Sequence, residues 1–567
     1  MKRERSEAAE RVAAKWRKTD YNKPEDVVIL DTVVIDDSDE EETDIEDHKT
    51  ITNPSVKVNE DVNASANASA SAKTELKTKT MTMTKTKTER AQDVGFRLMR
   101  SEVYDENTDE SPYMLDGLES IFGDPELKHC FLFSFQYDLG FLVRQFSSSV
   151  ERITIIAQEG TIVPVASSDI TSDPTFSNVF HKLVVKEIYM PPYSCHHSKM
   201  ILNLYRNGTM KIFLPSNNFT WAETNWPQQV CWSSGVLQPL NKAPNDSQNI
   251  FQQNLVRYLK FYKLKELNDL IQQVIAKIDF RPLDGIEFIF SVPERREQEL
   301  RTGVSMLLDA LEETEKQIPL SKDVTNLFVC QSSTIGGPVS RKKECPSNLF
   351  THIIVPFAKG FLNDKELRNC TTDILKQKYI DNNTLPMIIY PCMNEIRDAS
   401  VGINSAGWFN FNYTKNDIQQ RQYDMLRNEL NVFYGYNRSY LSKQRVTTPS
   451  HSKFYFRTRI PFQDINHRKD VLLPNQLDWC LFTSANLSTN AWGTLGAKPR
   501  NYEVGVLYKN AFLSQPIEKS DLHLESLQYL IYRQKSTART DLTKTIGVPF
   551  PLHLSPYSST DESFYQH

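Results

Sequence analysis

HHSKMILNLYRNGTMKIFLPSNNFT occupies residues 196–220, and HSKFYFRTR recurs at 451–459, followed by DWCLFTSANLSTNAW at 478–492. Each copy reads His-Ser-Lys, then an apolar strand-like run, then Ser-x-Asn. In an extended chain residues two apart face the same way, so His197 shares a face with Lys199, and His451 with Lys453. The turn at Arg206-Asn207-Gly208 returns KIFLPSNN as a hairpin partner of the first strand, and DWCLFTSAN is the returning strand of the second copy. Alignment of the copies sets Ser216-x-Asn218-Phe219-Thr220 against Ser484-x-Asn486-Leu487-Ser488. One signature per half predicts a pseudo-dimer within a single chain.

The chain has 567 residues, too many for one core and enough for two domains and a tail. A hydrophobic fraction of 39% supports cores of ordinary density. The start, MKRERSEAAERVAAKWRK, has no apolar run, and no stretch approaches the ~18 uncharged apolar residues of a membrane span. The expectation is a soluble intracellular protein without membrane contact. Eight widely spaced cysteines with no C-x-x-C pair read as reduced thiols rather than a zinc site. The net charge of -5 conceals an asymmetry: DDSDEEETDIED (36–47) holds nine of the 71 acidic residues, leaving 62 against 66 basic ones. A mildly basic body permits a polyanionic substrate.

Residues 1–93 combine that acidic block with the low-complexity run NASANASASAKTELKTKTMTMTKTKTER, a composition predicting disorder. Within it VVILDTVVIDDSDEEE resembles a SUMO-interacting motif, which would add to a partner sheet as an edge strand, extended if Ser38 is phosphorylated; a solvated acidic tail is the alternative. Lys2-Arg3-Glu4-Arg5 with Lys15-Trp16-Arg17-Lys18 is similar to a split nuclear-import signal. From Phe96 strands and helices interleave: 130–146 as a strand, 150–160 as a helix, 181–191 as a strand, 249–278 as one long amphipathic helix, and 286–293 as a strand closing the first half. Then come a helix at 299–318, strands at 326–333, 351–357 and 386–391, and a helix at 419–435. The expected fold is α/β, two similar α/β/α sandwich domains at 94–295 and 296–567 in a pseudo-twofold pair.

Two histidines, two lysines and two asparagines without a carboxylate cluster suit one chemistry. Ammonium groups and amide donors neutralise the equatorial oxygens of a phosphodiester without a divalent ion. Displacement at phosphorus needs an in-line nucleophile and, opposite it, an acid for the leaving oxygen; two imidazoles across the phosphate serve as both. Neither a metal nor a cofactor is expected. A lone H-x-K is usually a surface histidine; His196, one residue out of register, is expected to be such a case.

The paired pattern resembles the phospholipase D superfamily, departing from its H-x-K-x4-D form at Leu204 and Thr458. That departure, with FRLMRSEVY, HHSK, PQQVCW, FVCQSS, TSANLSTNAWG, RNYEVGVL and VPFPL, is similar to the tyrosyl-DNA phosphodiesterases, in their eukaryotic, fungal form, over nearly all of 94–567. The resemblance implies His197 as nucleophile and His451 as proton donor and acceptor. Lys199, Lys453, Asn218 and Asn486 would hold the phosphate. Counting from His197 favours Asn217, whereas the S-x-N register and the spacing to Gln229 favour Asn218. Supporting residues would sit crosswise, Glu503 behind His197 and Gln229 behind His451, a carboxylate raising basicity where an amide only orients; Glu503 as a structural ion-pair partner is the alternative. Tyr193 would stack on a base, and Ser332, Ser333, Thr334 and Ser488 would contact the DNA strand. Phe564 stands where the resemblance leads one to expect Trp. The implied function is nuclear DNA repair: a monomeric enzyme hydrolysing the 3'-phosphotyrosyl bond between a DNA end and the tyrosyl peptide of trapped topoisomerase I. A phospholipase or nuclease of the same superfamily, and a non-catalytic DNA- or SUMO-binding scaffold, are the competing readings.

Overall fold

The computed structural model describes residues 94–565 apart from 106–109, 241–248, 295–298, 319–322, 341, 343, 438–444, 446–447, 465–468, 511–521 and 533–544. The 1–93 tail, with its SUMO-motif and import-signal readings, lies outside the described residues.

Two mixed sheets repeat one plan. The first is built from β1 (Val94–Met99), β2 (Leu127–Phe133), β3 (Arg152–Gln158), β4 (Leu183–Ile188), β5 (Met200–Tyr205), β6 (Met210–Pro215) and β7 (Val230–Ser234), in the order β1-β7-β6-β5-β2-β3-β4. The second contains β8 (Ile286–Ser291), β9 (Val324–Gln331), β10 (Thr384–Ile389), β11 (Phe433–Tyr436), β12 (Phe454–Pro461), β13 (Trp479–Thr483) and β14 (Glu503–Lys509), in the order β8-β14-β13-β12-β9-β10-β11. Each of these seven strands of the first sheet has its counterpart seven strands later; Met114–Leu115, which extends the first sheet beside β1, and His553–Pro556 and Val471–Leu472, which extend the second beyond β11, have none. In both sheets the first four pairings are antiparallel and the last two parallel. Five helices matter below: α1 (Trp221–Asn225), α2 (Ile250–Lys260), α3 (Lys265–Gln273), α4 (Val304–Gln317) and α5 (Thr489–Trp492).

Strand periodicity of two sorts side chains between two cores. Phe131 and Phe133 of β2 face the core shared with the second sheet, while Cys130 and Leu132 face a separate core on the far side of the first. In the shared core the Phe96 ring lies 5.9 Å from Phe454, 5.5 Å from Phe482 and 6.0 Å from Tyr508, spacings at which aromatic pairs add about 0.5–1.5 kcal/mol beyond area burial. Trp232 Nε1–H donates to the Tyr508 hydroxyl at 2.7 Å. The two halves therefore meet through continuous apolar packing.

Six elements differ from the sequence reading. The strand expected over 130–146 ends at Phe133 and Leu139–Val143 is a short helix, while the helix expected over 419–435 ends at Asp424, passes into a π-helical turn at Met425–Glu429 and gives way to β11. Residues 150–160 were expected as a helix but form β3, because the β-branched run Ile153–Ile156 is covered on both faces, as interior parallel strands are. The helix expected over 249–278 is two, α2 and α3, parted where Lys263 adopts φ 54. The strand at 286–293 does not close the first half: β8 pairs along its whole length with β14 of the second sheet, an allocation that alternation alone does not encode. The strand expected at 351–357 is a π-helical turn, Leu349–Ile354, running into a helix at Val355–Ala358; a short apolar run buried on all sides carries no period to separate the two.

A buried ion pair ties the chain ahead of the second His-Ser-Lys to the first half. Arg445 Nη2 donates to Asp105 Oδ2 and to the Met99 carbonyl, Nε donates to Asp105 Oδ1 at 3.1 Å, and the Tyr532 hydroxyl donates to the same carboxylate. Burial pushes the Asp105 carboxyl upward, but the Arg445 hydrogen bonds and charge outweigh it and hold it below the usual range. Removing one member strands the other in the interior. Arg445→Met is expected to cost about 3–5 kcal/mol at neutral pH by urea unfolding. A depressed carboxyl contributes stability above its unfolded value, ~3.9, that is lost as pH falls through the folded value, so the deficit of the variant narrows below about pH 4.

Candidate active site

All the signature residues stand at one end of the two sheets. His197 and Lys199 immediately precede β5, as His451 and Lys453 precede β12; Ser216 to Asn218 follow β6, as Ser484 to Asn486 follow β13. Each histidine is fixed by the other half: His197 N–H donates to the Tyr502 carbonyl at 3.0 Å, and His451 N–H to the Gln228 carbonyl at 3.0 Å. The acceptors are the residues just before Glu503 and Gln229. Lys199 Nζ donates to the His197 carbonyl at 3.2 Å and Lys453 Nζ to that of His451 at 2.6 Å, so each His and Lys share a face. The intervening serines point away, Ser198 Oγ accepting from the Tyr258 hydroxyl and Ser452 Oγ donating to Gln331 Oε1.

The Ser-x-Asn register is repeated bond for bond. Ser216 N–H donates to Val230 O as Ser484 N–H donates to Val504 O, and Phe219 N–H to Gln136 O as Leu487 N–H to Thr334 O. Asn218 Oδ1 accepts from Ser134 Oγ at 2.8 Å; Asn486 Oδ1 accepts from Ser332 Oγ at 3.2 Å and Ser333 Oγ at 2.9 Å. It is thus Asn218 that matches Asn486. Asn217 instead turns into α1, its Nδ2 donating to Thr224 Oγ1.

Behind the imidazoles the halves diverge. His197 Nδ1 lies 2.9 Å from Glu503 Oε2, a carboxylate that also accepts from Ser484 Oγ and Asn501 Nδ2. Gln229 occupies the equivalent position in the first half, its Nε2 3.3 Å from His451 Nδ1. A second group shares that nitrogen: Glu223 Oε1, also at 3.3 Å. The Glu223 carboxylate further accepts from Asn218 N–H at 2.7 Å and Asn218 Nδ2 at 2.8 Å. The sequence reading put only a neutral amide behind His451 and missed Glu223. Its single signal was the T-x-x-E spacing of Thr220 and Glu223 at the start of α1, which reads as ordinary helix capping. Thr220 caps α1 as Ser488 caps α5, so the position equivalent to Glu223 in the second half is Ala491.

The ionisable groups share one field. Burial lowers both imidazoles and both lysines from their ordinary values. Lys453 acts on His197, and Lys199 on His451 and Lys453, while Glu223 and Glu503 act on both lysines. Burial would raise each glutamate, but hydrogen bonds and charge from its histidine outweigh this; Glu223 falls to about 2. The site therefore gathers two lysines and two imidazoles whose charged forms burial disfavours, and two glutamates held as carboxylates. Among the described residues no three His, Cys, Asp or Glu side chains are disposed to hold a metal ion, and no helix is long and apolar enough to cross a membrane. Two lysines and two asparagines standing at one sheet end suit a tetrahedral oxyanion.

The tyrosyl-DNA phosphodiesterase family profile matches residues 96–558. Tyrosyl-DNA phosphodiesterase 1 of Saccharomyces cerevisiae is 34% identical over 588 aligned positions, covering 99% of this chain and 97% of the yeast protein. The chain belongs to the tyrosyl-DNA phosphodiesterase family. It is an enzyme, and its fold is that of the yeast tyrosyl-DNA phosphodiesterase crystal structure, with TM-score 0.70 and 36% identity over 84% of this chain and all of that one. A probable tyrosyl-DNA phosphodiesterase of Caenorhabditis elegans is 26% identical, covering 79% of this chain and 83% of its own length.

Around the histidines of this family member the other expected residues fall into two groups. Tyr193 is 84% exposed with φ 64, its carbonyl accepting from Asn490 Nδ2. Ser332 and Ser333 are buried with both hydroxyls spent on Asn486, and Ser332 also donates to the Thr334 carbonyl. Ser488 Oγ accepts from Ala491 N–H. Phe564 is packed in the shared core. His196, expected at the surface, is fully buried: Nδ1–H donates to the Ser134 carbonyl and Nε2 accepts from the Tyr262 hydroxyl. The alternation that turns it from His197 points it into the core, not into water. If the two lysines hold an oxyanion, Lys199→Met or Lys453→Met weakens inorganic phosphate binding by calorimetry about 10- to 100-fold, the range of a lost hydrogen bond to a charged group.

Proposed function

We propose that this chain hydrolyses the 3'-phosphotyrosyl bond between DNA and a trapped topoisomerase I, through a covalent phosphohistidine and without a metal ion. The observation that carries the reading is the crosswise fixing of His197 and His451 by opposite halves around Lys199, Lys453, Asn218 and Asn486. Glu503 holds the proton on Nδ1 of His197, which leaves the Nε2 lone pair for phosphorus. His451 protonates the leaving phenol and then takes a proton from water. The lysines and asparagines carry the equatorial oxygens, supplying the charge a divalent ion provides elsewhere. Tyr193, at the exposed rim, offers a stacking surface to a base of a single-stranded or frayed DNA end. One chain holds every group named, so a monomer suffices. A nuclear location and a SUMO partner for the tail belong to the same proposal and rest on sequence.

A 3'-tyrosyl oligonucleotide in EDTA tests it. The wild type releases tyrosine and leaves a 3'-phosphate, His197→Ala gives no turnover, and His451→Asn accumulates an acid-labile, base-stable adduct on His197. Loss of wild-type activity in EDTA, or an adduct on His451 instead, overturns the scheme. Release of a phospholipid headgroup with no action on the oligonucleotide would transfer the site to the phospholipase reading.

A further inference from the structure

His451 has two candidate partners for Nδ1, and hydrogen-bond polarity separates them. The orientation of the Gln229 amide is fixed by its neighbours: Ser216 Oγ accepts from Val230 N–H and therefore donates to Gln229 Oε1, while Gln229 Nε2–H donates to the Glu223 carbonyl at 2.8 Å. A nitrogen thus faces the ring. An amide nitrogen only donates, so Gln229 meets Nδ1 only when that atom is bare, the tautomer whose proton is on Nε2. Glu223 Oε1 accepts, and meets Nδ1 when it carries the proton. The position equivalent to Glu503 is therefore filled by a group of the wrong polarity, and the carboxylate comes from α1.

We infer that Glu223 is the positioning residue of His451: its carboxylate, not the Gln229 amide, holds the Nδ1 proton through both steps of the reaction. The inference rests on the proposed function and its two chemical steps. In the first, the His197 Nε2 lone pair forms the N–P bond, the P–O bond to the tyrosyl oxygen breaks with its electron pair, and that oxygen takes the Nε2 proton of a His451 imidazolium. The neutral ring keeps Nδ1–H on Glu223 and turns a bare Nε2 to the site. In the second, water oxygen bonds to phosphorus while its proton goes to that Nε2, and the N–P pair returns to His197. Without Glu223 the Gln229 donor selects the opposite tautomer, which presents N–H where the second step needs a lone pair. The groups facing His451 are Glu223, Gln229, Lys453, Lys199 and the Trp408 ring, 6.1 Å away; of these only Glu223 is an anion.

An oligonucleotide ending in a 3'-(4-nitrophenyl phosphate) separates the steps, because its leaving group departs without an acid. In Glu223→Gln the burst of nitrophenolate should stay within about threefold of wild type, while adduct decay slows about 10- to 100-fold, the range for a lost imidazole-orienting partner. Adding Gln229→Glu to that variant should restore decay at least in part, since it returns a carboxylate to the ring. The inference is overturned if Glu223→Gln clears the adduct at the wild-type rate, if burst and decay fall together so that the carboxylate acts through Asn218, or if the double variant gains nothing. A wild type that attacks neither this substrate nor the tyrosyl one removes the proposed function, and the inference with it. Imidazole nitrogen NMR of the wild type needs no variant to fold: His451 as the Nδ1–H tautomer agrees, and the Nε2–H tautomer overturns.

Discussion

Two backbone hydrogen bonds govern the geometry, His197 N–H to Tyr502 O and His451 N–H to Gln228 O. Each runs between the halves, so neither histidine has its final position until both sheets are folded and docked. An imidazole placed by its own domain would inherit every small rotation at the interface, and in-line displacement tolerates about an ångström at most. The shared aromatic core supplies the stiffness behind those bonds, with Phe96 of β1 surrounded by Phe454, Phe482 and Tyr508 of the opposite sheet. The Asp105–Arg445 pair adds a buried tie close in sequence to His451.

Duplication explains how one chain comes to have two of everything, and departures from it show where the chemistry is unequal. The strand order, the pairing directions and the Ser-x-Asn bonds coincide between halves. The groups behind the rings do not: Glu503 corresponds in register to Gln229, and Glu223 to Ala491. A symmetric site would give both imidazoles the same basicity, whereas the nucleophile and the acid of the proposed scheme need different environments. The asymmetry leaves one ring with a single carboxylate at 2.9 Å and the other with a carboxylate and an amide donor at 3.3 Å each.

Much of this was legible in sequence because it is repeated and local. The H-x-K and S-x-N spacings exposed the repeat, and the period of two in an extended chain placed His197 with Lys199 before any coordinates. What escaped depends on contacts that spacing does not encode. Ile286–Ser291 has the texture of any edge strand and nothing that names its partner. Residues 351–357 are buried throughout, so polarity shows no period. His196 resembled a surface histidine because burial of a neutral imidazole depends on distant partners, here the Ser134 carbonyl and the Tyr262 hydroxyl. Glu223 was hidden by a plausible local role: T-x-x-E at a helix start already has an explanation in capping, and only its contact with Asn218 and His451 shows that the carboxylate is used elsewhere.

The charged groups around the rings bear on when His451 would take up the proton that the proposed mechanism requires. Lys199 and Lys453 act on Glu223 and Glu503, and burial disfavours the charged form of both rings, in an environment where an unbalanced charge is expensive. In the proposed scheme a phosphodiester entering that site brings one negative charge, which favours uptake of a proton by a nearby ring. In that scheme His197 remains unprotonated on Nε2 to attack phosphorus, so the proton falls to His451, whose Nδ1 lies 3.3 Å from the Glu223 carboxylate. In the proposed scheme substrate binding and formation of the general acid are then one coupled event.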